Sequence, residues 1–199
     1  MVRFTVFLFP FRSRCIIMTA TKRVAQKTLV KYTEESTDKE IVMKTLCLYY
    51  TRTNLTKAAM EHLAKLLDAD IAQYSDGKDR SGVLGYVGAC FSSLKKNFPK
   101  VTVEGDVCLS DYDRVIIGMP IWAEVPCILG KALIAQYKDS LPQEVYYVVT
   151  HMGSFDYASR IKKLDDLLGR PAAGWLSLKT KEHDFLKDVE AFAKTLKAE

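Results

Sequence analysis

Short apolar runs alternate with segments in which apolar residues recur every third or fourth position, and this alternation repeats five times along the chain. Lys44 to Tyr50 (KTLCLYY) has the make-up of a strand buried on both faces. Thr51 to Thr56 breaks that pattern, and Ala59, Leu63, Leu66 and Leu67 then follow at helical spacing. Ala69 to Tyr74 reads as a second strand. The polar stretch Asp76 to Gly82 is turn-forming, and a helix through Tyr86, Phe91 and Leu94 ends before Pro99. Arg114 to Met119 (RVIIGM) is the third strand, closed by Pro120, and a helix begins at about Cys127 with Ile128, Leu129, Ala132 and Leu133 on one face. Glu144 to Thr150 (EVYYVVT) and Ala173 to Leu178 are the remaining strands. The helix between them carries Ile161, Leu164, Leu167 and Leu168 and stops at Gly169 and Pro171. Phe185, Val189, Phe192 and Leu196 line the last helix.

Strand and helix in strict alternation argue for a parallel sheet with helices on both faces. Such sheets bind ligands beyond the carboxyl ends of their strands, where strand order reverses. The loops at 51–56, 119–126 and 150–157 are therefore the ones that can carry chemistry.

The first of these, Thr51 to Thr56 (TRTNLT), places three hydroxyls and successive main-chain amides where a helix begins. That is a favourable setting for a phosphate, because the amides are free and the helix dipole is positive there. The same threonines could equally cap the helix. In the second loop, Gly118 to Pro126 (GMPIWAEVP), two prolines stiffen the backbone around Trp122. The indole can stack on a planar ring or cover the end of the sheet. The third, Thr150 to Tyr157 (THMGSFDY), has Gly153 for a close backbone approach and amides able to donate to a heterocycle's edge. His151 could stabilise an anion or pass a proton, or could simply be solvated.

Charge and cysteine usage change this picture little. Residues 1–33 hold seven Lys or Arg and no acid, whereas 43–199 carry 21 basic and 20 acidic residues. The overall +5 thus belongs to an N-terminal extension, 1–42, and does not argue for nucleic-acid binding by the domain at 43–199. Three readings of the extension stay open: an organellar transit peptide, translation starting at Met18 or Met43, or a disordered tail. The expected location is accordingly cytoplasmic, or organellar if the first reading holds. No run approaches 18 apolar residues, so stable membrane insertion is not expected. The five cysteines (Cys15, Cys47, Cys90, Cys108, Cys127) are scattered singly, as free thiols would be, and no metal site is expected.

Three motifs, in order, resemble the flavodoxin-like family, specifically its small FMN-binding flavodoxins and NAD(P)H:quinone reductases. YYTRTNLT (Tyr49 to Thr56) is similar to the family's T/S-x-T-G-N-T phosphate loop. IIGMPIW (Ile116 to Trp122) is similar to its flavin loop, and VVTHMGS (Val148 to Ser154) to the loop against the pyrimidine side. The segment KDRSGVLGY (Lys78 to Tyr86) also looks like a connecting stretch of these proteins. The resemblance spans roughly 43–197. It implies a three-layer α/β/α fold around a five-stranded parallel sheet of order 2-1-3-4-5. It also implies FMN held by Thr51, Arg52, Thr53, Asn54, Leu55 and Thr56, by Pro120, Ile121, Trp122 and Ala123, and by Thr150, His151, Met152, Gly153 and Ser154.

The sequence departs from the family where Asn54 replaces its Gly and Leu55 its Asn. Asn tolerates left-handed backbone angles, so the turn can survive. The lost polar contact is worth on the order of 0.5–1.5 kcal/mol, or about tenfold in affinity. Glu124 stands where many relatives have a small residue or Gly. Beside a flavin its carboxylate would oppose negative charge on the reduced ring; turned to solvent it would not.

The activity implied is electron transfer from NAD(P)H, or from a reductase, to a quinone-like or other acceptor. The alternatives are a carrier flavodoxin and a cofactor-free interaction module on the same scaffold. A domain balance of +1 gives little of the charge field that steers a carrier to its partners. Related reductases often build the acceptor site at a dimer interface, which makes a homodimer a further option. Gly82 to Phe98 is a candidate lid or partner surface, or a helix packed on the sheet. Apart from the weak candidate His151, no catalytic residue is identified.

Overall fold

In a computed structural model, residues 43–93, 97–182 and 184–198 are described; the extension 1–42, with Cys15, and Leu94 of the predicted second helix lie outside them. The five strands expected from the apolar runs form one parallel sheet. They are β1 (Thr45–Tyr49), β2 (Asp70–Ser75), β4 (Arg114–Trp122), β6 (Glu144–His151) and β7 (Gly174–Lys179), in spatial order β2-β1-β4-β6-β7. Counted along the chain, these five strands have the expected order 2-1-3-4-5. Two strands of two residues each add to them. β3 (Thr102–Val103) pairs antiparallel on the edge of β2, and β5 (Val125–Pro126) folds back on the end of β4. Elements this short carry no hydrophobic period, so the apolar pattern is silent about them.

β4 also runs past the predicted stop at Pro120. Its pairing with β1 ends at Gly118, opposite Tyr49, while pairing with β6 continues to Pro120 opposite Thr150. Proline is tolerated there because one neighbouring strand has already ended.

Among the described residues, five α-helices pack on both faces of the sheet. α1 (Leu55–Leu67) and α5 (Phe185–Ala198) cover one face with Ala59, Met60, Leu63, Val189, Ala193 and Leu196. α2 (Gly82–Ser93), α3 (Ile128–Tyr137) and α4 (Ala158–Leu168) lie on the other, where Leu129, Leu133, Ile161 and Leu164 meet the inward residues of β1, β4 and β6. The helix ends follow ordinary rules. Cys127 caps α3, its thiol accepting the Gly130 N–H, and Gly169 ends α4 in a left-handed conformation.

Gly118 marks the closest approach of helix to sheet. A Cβ there would lie 2.5 Å from Cγ of Met60 on α1. The Gly118 carbonyl accepts both the Tyr50 N–H, at 3.1 Å, and the buried Tyr74 hydroxyl, at 3.0 Å. Strand order reverses at β1 and β4, so the loops after those strands face each other at the carboxyl edge.

Candidate functional site

The loop after β1 turns into α1 through Asn54, whose φ is 61° and ψ 0°. The turn expected of a glycine therefore forms with asparagine, and Asn54 O accepts the Ala58 N–H at 2.9 Å. The first amides of α1 have no intrahelical acceptors. The Thr51 hydroxyl is buried without a hydrogen-bond partner among the described residues. Thr56 Oγ1 lies 2.7 Å from Thr150 Oγ1, which ties the first loop to the third.

The loop after β4 is a two-residue hairpin between Trp122 and Val125. Its central residues, Ala123 (φ 46°) and Glu124 (φ 60°), are both left-handed. This geometry usually takes Asn-Gly, and a side chain there costs roughly 1–2 kcal/mol per residue. Strand pairing and an ion pair hold it: Arg160 Nη2 on α4 donates to Glu124 Oε2 at 3.0 Å. The Glu124 carboxylate, open in the sequence between flavin and solvent, thus faces α4. Trp122 is only 4% exposed and sits edge-on to Tyr50, with ring centroids 5.7 Å apart and planes at 88°.

In the loop after β6, both nitrogens of His151 are engaged. Nδ1 lies 3.0 Å from the Gly153 carbonyl and Nε2 2.9 Å from Ser177 Oγ. A carbonyl can only accept, so Nδ1 carries the proton, and in the neutral ring Nε2 accepts from the serine hydroxyl. Burial, aided by the nearby Lys179 charge, holds the His151 pKa below its ordinary value, against the Gly153 hydrogen bond that pulls the other way. Passing a proton would require breaking one of these bonds. Gly153 makes room for a protein group: a Cβ there would lie 2.4 Å from the Tyr157 hydroxyl.

Together the three loops enclose a cleft of about 150 Å³. Of the residues expected at the site, Arg52, Thr53, Leu55, Thr56, Pro120, Ile121, Trp122, Thr150, His151 and Met152 line it; Thr51, Asn54, Ala123, Gly153 and Ser154 do not. Two further residues do: Tyr86 and Thr180. Tyr86 reaches it from α2, its ring 4.8 Å beneath the Arg52 guanidinium. Thr180 follows β7 and donates through its N–H and Oγ1 to the His151 carbonyl, at 2.9 and 3.2 Å. The rule that ligands gather at the carboxyl ends of strands applies to β7 as well, and the loop after it is where Thr180 could have been found. Among the described residues, Arg52 is the one formal charge on the wall, which favours an anion. The cleft contains no thiol: burial pushes Cys47 up to about 12 and Cys127 to about 11, so both stay protonated near neutral pH.

No protein-family model matches the sequence, and no curated protein matches it. Solved structures do. A flavoprotein from Lactobacillus acidophilus NCFM, in complex with FMN, is 25% identical, with a TM-score of 0.58 over 68% of this chain and 93% of that one. A flavoprotein from Bacteroides eggerthii DSM 20697 is 18% identical, with a TM-score of 0.63 over 78% and 98%. An NAD(P)H:quinone oxidoreductase from Methanothermobacter marburgensis is 10% identical, with a TM-score of 0.50 over 77% and 96%. These neighbours establish a flavodoxin-like fold. Among the described residues, no helix is long and apolar enough to cross a membrane.

Proposed function

We propose that this flavodoxin-like chain binds FMN in the cleft at the carboxyl edge of its sheet and passes electrons from NAD(P)H to a small, apolar, quinone-like acceptor. We assign this activity to residues 43–199 and regard 1–42 as an extension outside it. The observation that carries the reading is the phosphate loop. Asn54 takes the left-handed turn at the start of α1, the Thr51 hydroxyl is buried and unpartnered, and Arg52 supplies a cation beside them. A phosphate suits the free amides at that turn and the Arg52 charge, and the flavoprotein with 25% identity holds FMN.

Bound FMN supplies the redox chemistry; the chain's part is binding, orientation and exclusion of water. Arg52, Thr53 and the first amides of α1 would hold the phosphate. The bond between Thr56 and Thr150 sets the spacing of the first and third loops. Pro120 to Trp122 and Thr150 to Met152 form the walls for the ring. His151, neutral and bonded at both nitrogens, fixes the path of the third loop.

The surface beside the cleft favours an enzyme over a carrier. α2 contains no charged residue, and Val83, Leu84 and Phe91 on it are 79%, 88% and 67% exposed. Met152 and Phe155 extend this apolar rim across the third loop. A charge-steered protein partner would find no charged side chain on α2, whereas a small apolar acceptor finds a matching surface.

The test is oxidation of NADH and NADPH by the FMN-loaded full chain in the presence of a water-soluble benzoquinone. Turnover without any added reductase is expected. Flavin reduction only through a separate reductase would instead make the chain a carrier. Failure to take up FMN would leave the scaffold as an interaction module.

A further inference from the structure

A second pocket, independent of the flavin reading, opens between α3, α4 and β5. It measures about 130 Å³ and is lined by Val125, Pro126, Leu164, Lys131, Arg160 and Lys163. Half of its lining residues are cations and none is acidic.

Lys131 is the most enclosed of the three. It is half-buried on α3, and its ammonium donates to the Ser93 carbonyl at 2.5 Å. No carboxylate comes within ion-pair distance of it among the described residues. Burial holds its pKa below the ordinary lysine value. An ammonium that has lost water and gained one neutral acceptor is an incomplete site. Arg160 spends Nη2 on Glu124, which leaves the rest of its fork of N–H donors. Lys163 follows Arg160 by three positions on the same helix face and is exposed. Among the described residues Glu124 is the one carboxylate bonded to this group, so the cations outnumber it.

We propose that this pocket binds a phosphate-class anion, either free phosphate or the phosphate of a nucleotide. Donors converge on it from α3 and from two turns of α4, which suits a tetrahedral oxyanion with several acceptor oxygens better than a single carboxylate. The volume also fits, since a water takes about 30 Å³ and a phosphate is a few times larger. The pocket shares the β4–β5 hairpin with the cleft. Val125 and Pro126 line one and Ile121 and Trp122 the other. An anion on Arg160 competes with Glu124 for the guanidinium that secures the left-handed pair Ala123 and Glu124. Binding should therefore be felt at the hairpin.

The experiment is an amide-resolved NMR titration of the full chain, free of flavin, with inorganic phosphate and pyrophosphate. Saturable shifts at 123–131 and 160–164 are expected. Lys131→Gln and the exposed Lys163→Gln should each weaken binding about tenfold, the worth of one charge-assisted hydrogen bond, while Lys131→Arg retains it. NADP⁺ binding more tightly than NAD⁺ here, with the difference lost in Lys163→Gln, identifies a nucleotide phosphate as the source. Equal binding of the two dinucleotides, with phosphate still saturating, identifies free phosphate. Shifts confined to 51–56, or unchanged affinity in folded Lys163→Gln and Lys131→Gln, would overturn the proposal.

Discussion

Replacing Trp122 with alanine lowers the free energy of unfolding by about 3–5 kcal/mol, the range for emptying a buried aromatic site. The indole is 4% exposed, meets Tyr50 edge-on, and ends β4 just before a hairpin whose two central residues are already left-handed. The void cannot close without moving that hairpin. Urea denaturation followed by far-ultraviolet circular dichroism measures the loss, and a change below about 1 kcal/mol would show that the indole is not a core element. Trp122→Phe keeps an aromatic ring against Tyr50 and should recover most of the stability. The phenylalanine variant is therefore the better probe of what Trp122 does in the cleft, because the alanine variant mixes binding with unfolding.

Arg80→Met should cost about 3 kcal/mol at neutral pH, since it leaves a buried carboxylate without its partner. Arg80 and Asp76 form a two-pronged pair at 2.6 and 2.7 Å, with side chains only 10% and 2% exposed. Burial alone would raise the Asp76 pKa, but the hydrogen bonds and charge of Arg80 outweigh it and hold the carboxyl below its usual value. A carboxyl whose pKa is depressed on folding stabilises the fold above its unfolded pKa, about 3.9, and that contribution disappears as pH falls through the folded value. In the variant the sign reverses. Unpaired and buried, Asp76 takes up a proton more readily, so the deficit should shrink as pH is lowered from 7 towards 4. A deficit independent of pH would mean that packing of the arginine stem, and not the ion pair, holds the 76–81 turn.

Much of the sheet was legible because strands buried on both faces must be apolar throughout. KTLCLYY, RVIIGM and EVYYVVT carry that mark, and they became three adjacent parallel strands. The left-handed turn at Asn54 was legible for a different reason, since few residues besides glycine accept it. The same logic fails at Ala123 and Glu124. Neither residue type announces a positive φ, and what imposes it is the tertiary pairing of β5 on β4 and of Glu124 with Arg160, 36 positions away. At Gly153 the absent side chain leaves room for the Tyr157 hydroxyl, a packing role that the loop's sequence does not announce. The apolar residues of 82–98 left open a lid or partner surface and a helix packed on the sheet; α2 is a helix of which only Ala89 and Ser93 are buried. Apolar composition reports what can be buried, and the helix's place at the rim of the cleft leaves the rest exposed.

The central claim is that the loop from Thr51 to Thr56 holds a flavin phosphate, and titrating the full chain with FMN and with riboflavin, followed by flavin fluorescence, tests it most directly. The account predicts saturable quenching by FMN, binding of riboflavin weaker by about a hundredfold or more for want of the phosphate, and a marked loss of FMN affinity in Thr53→Ala. Equal binding of the two flavins, or no quenching by a protein shown to be folded, would contradict it.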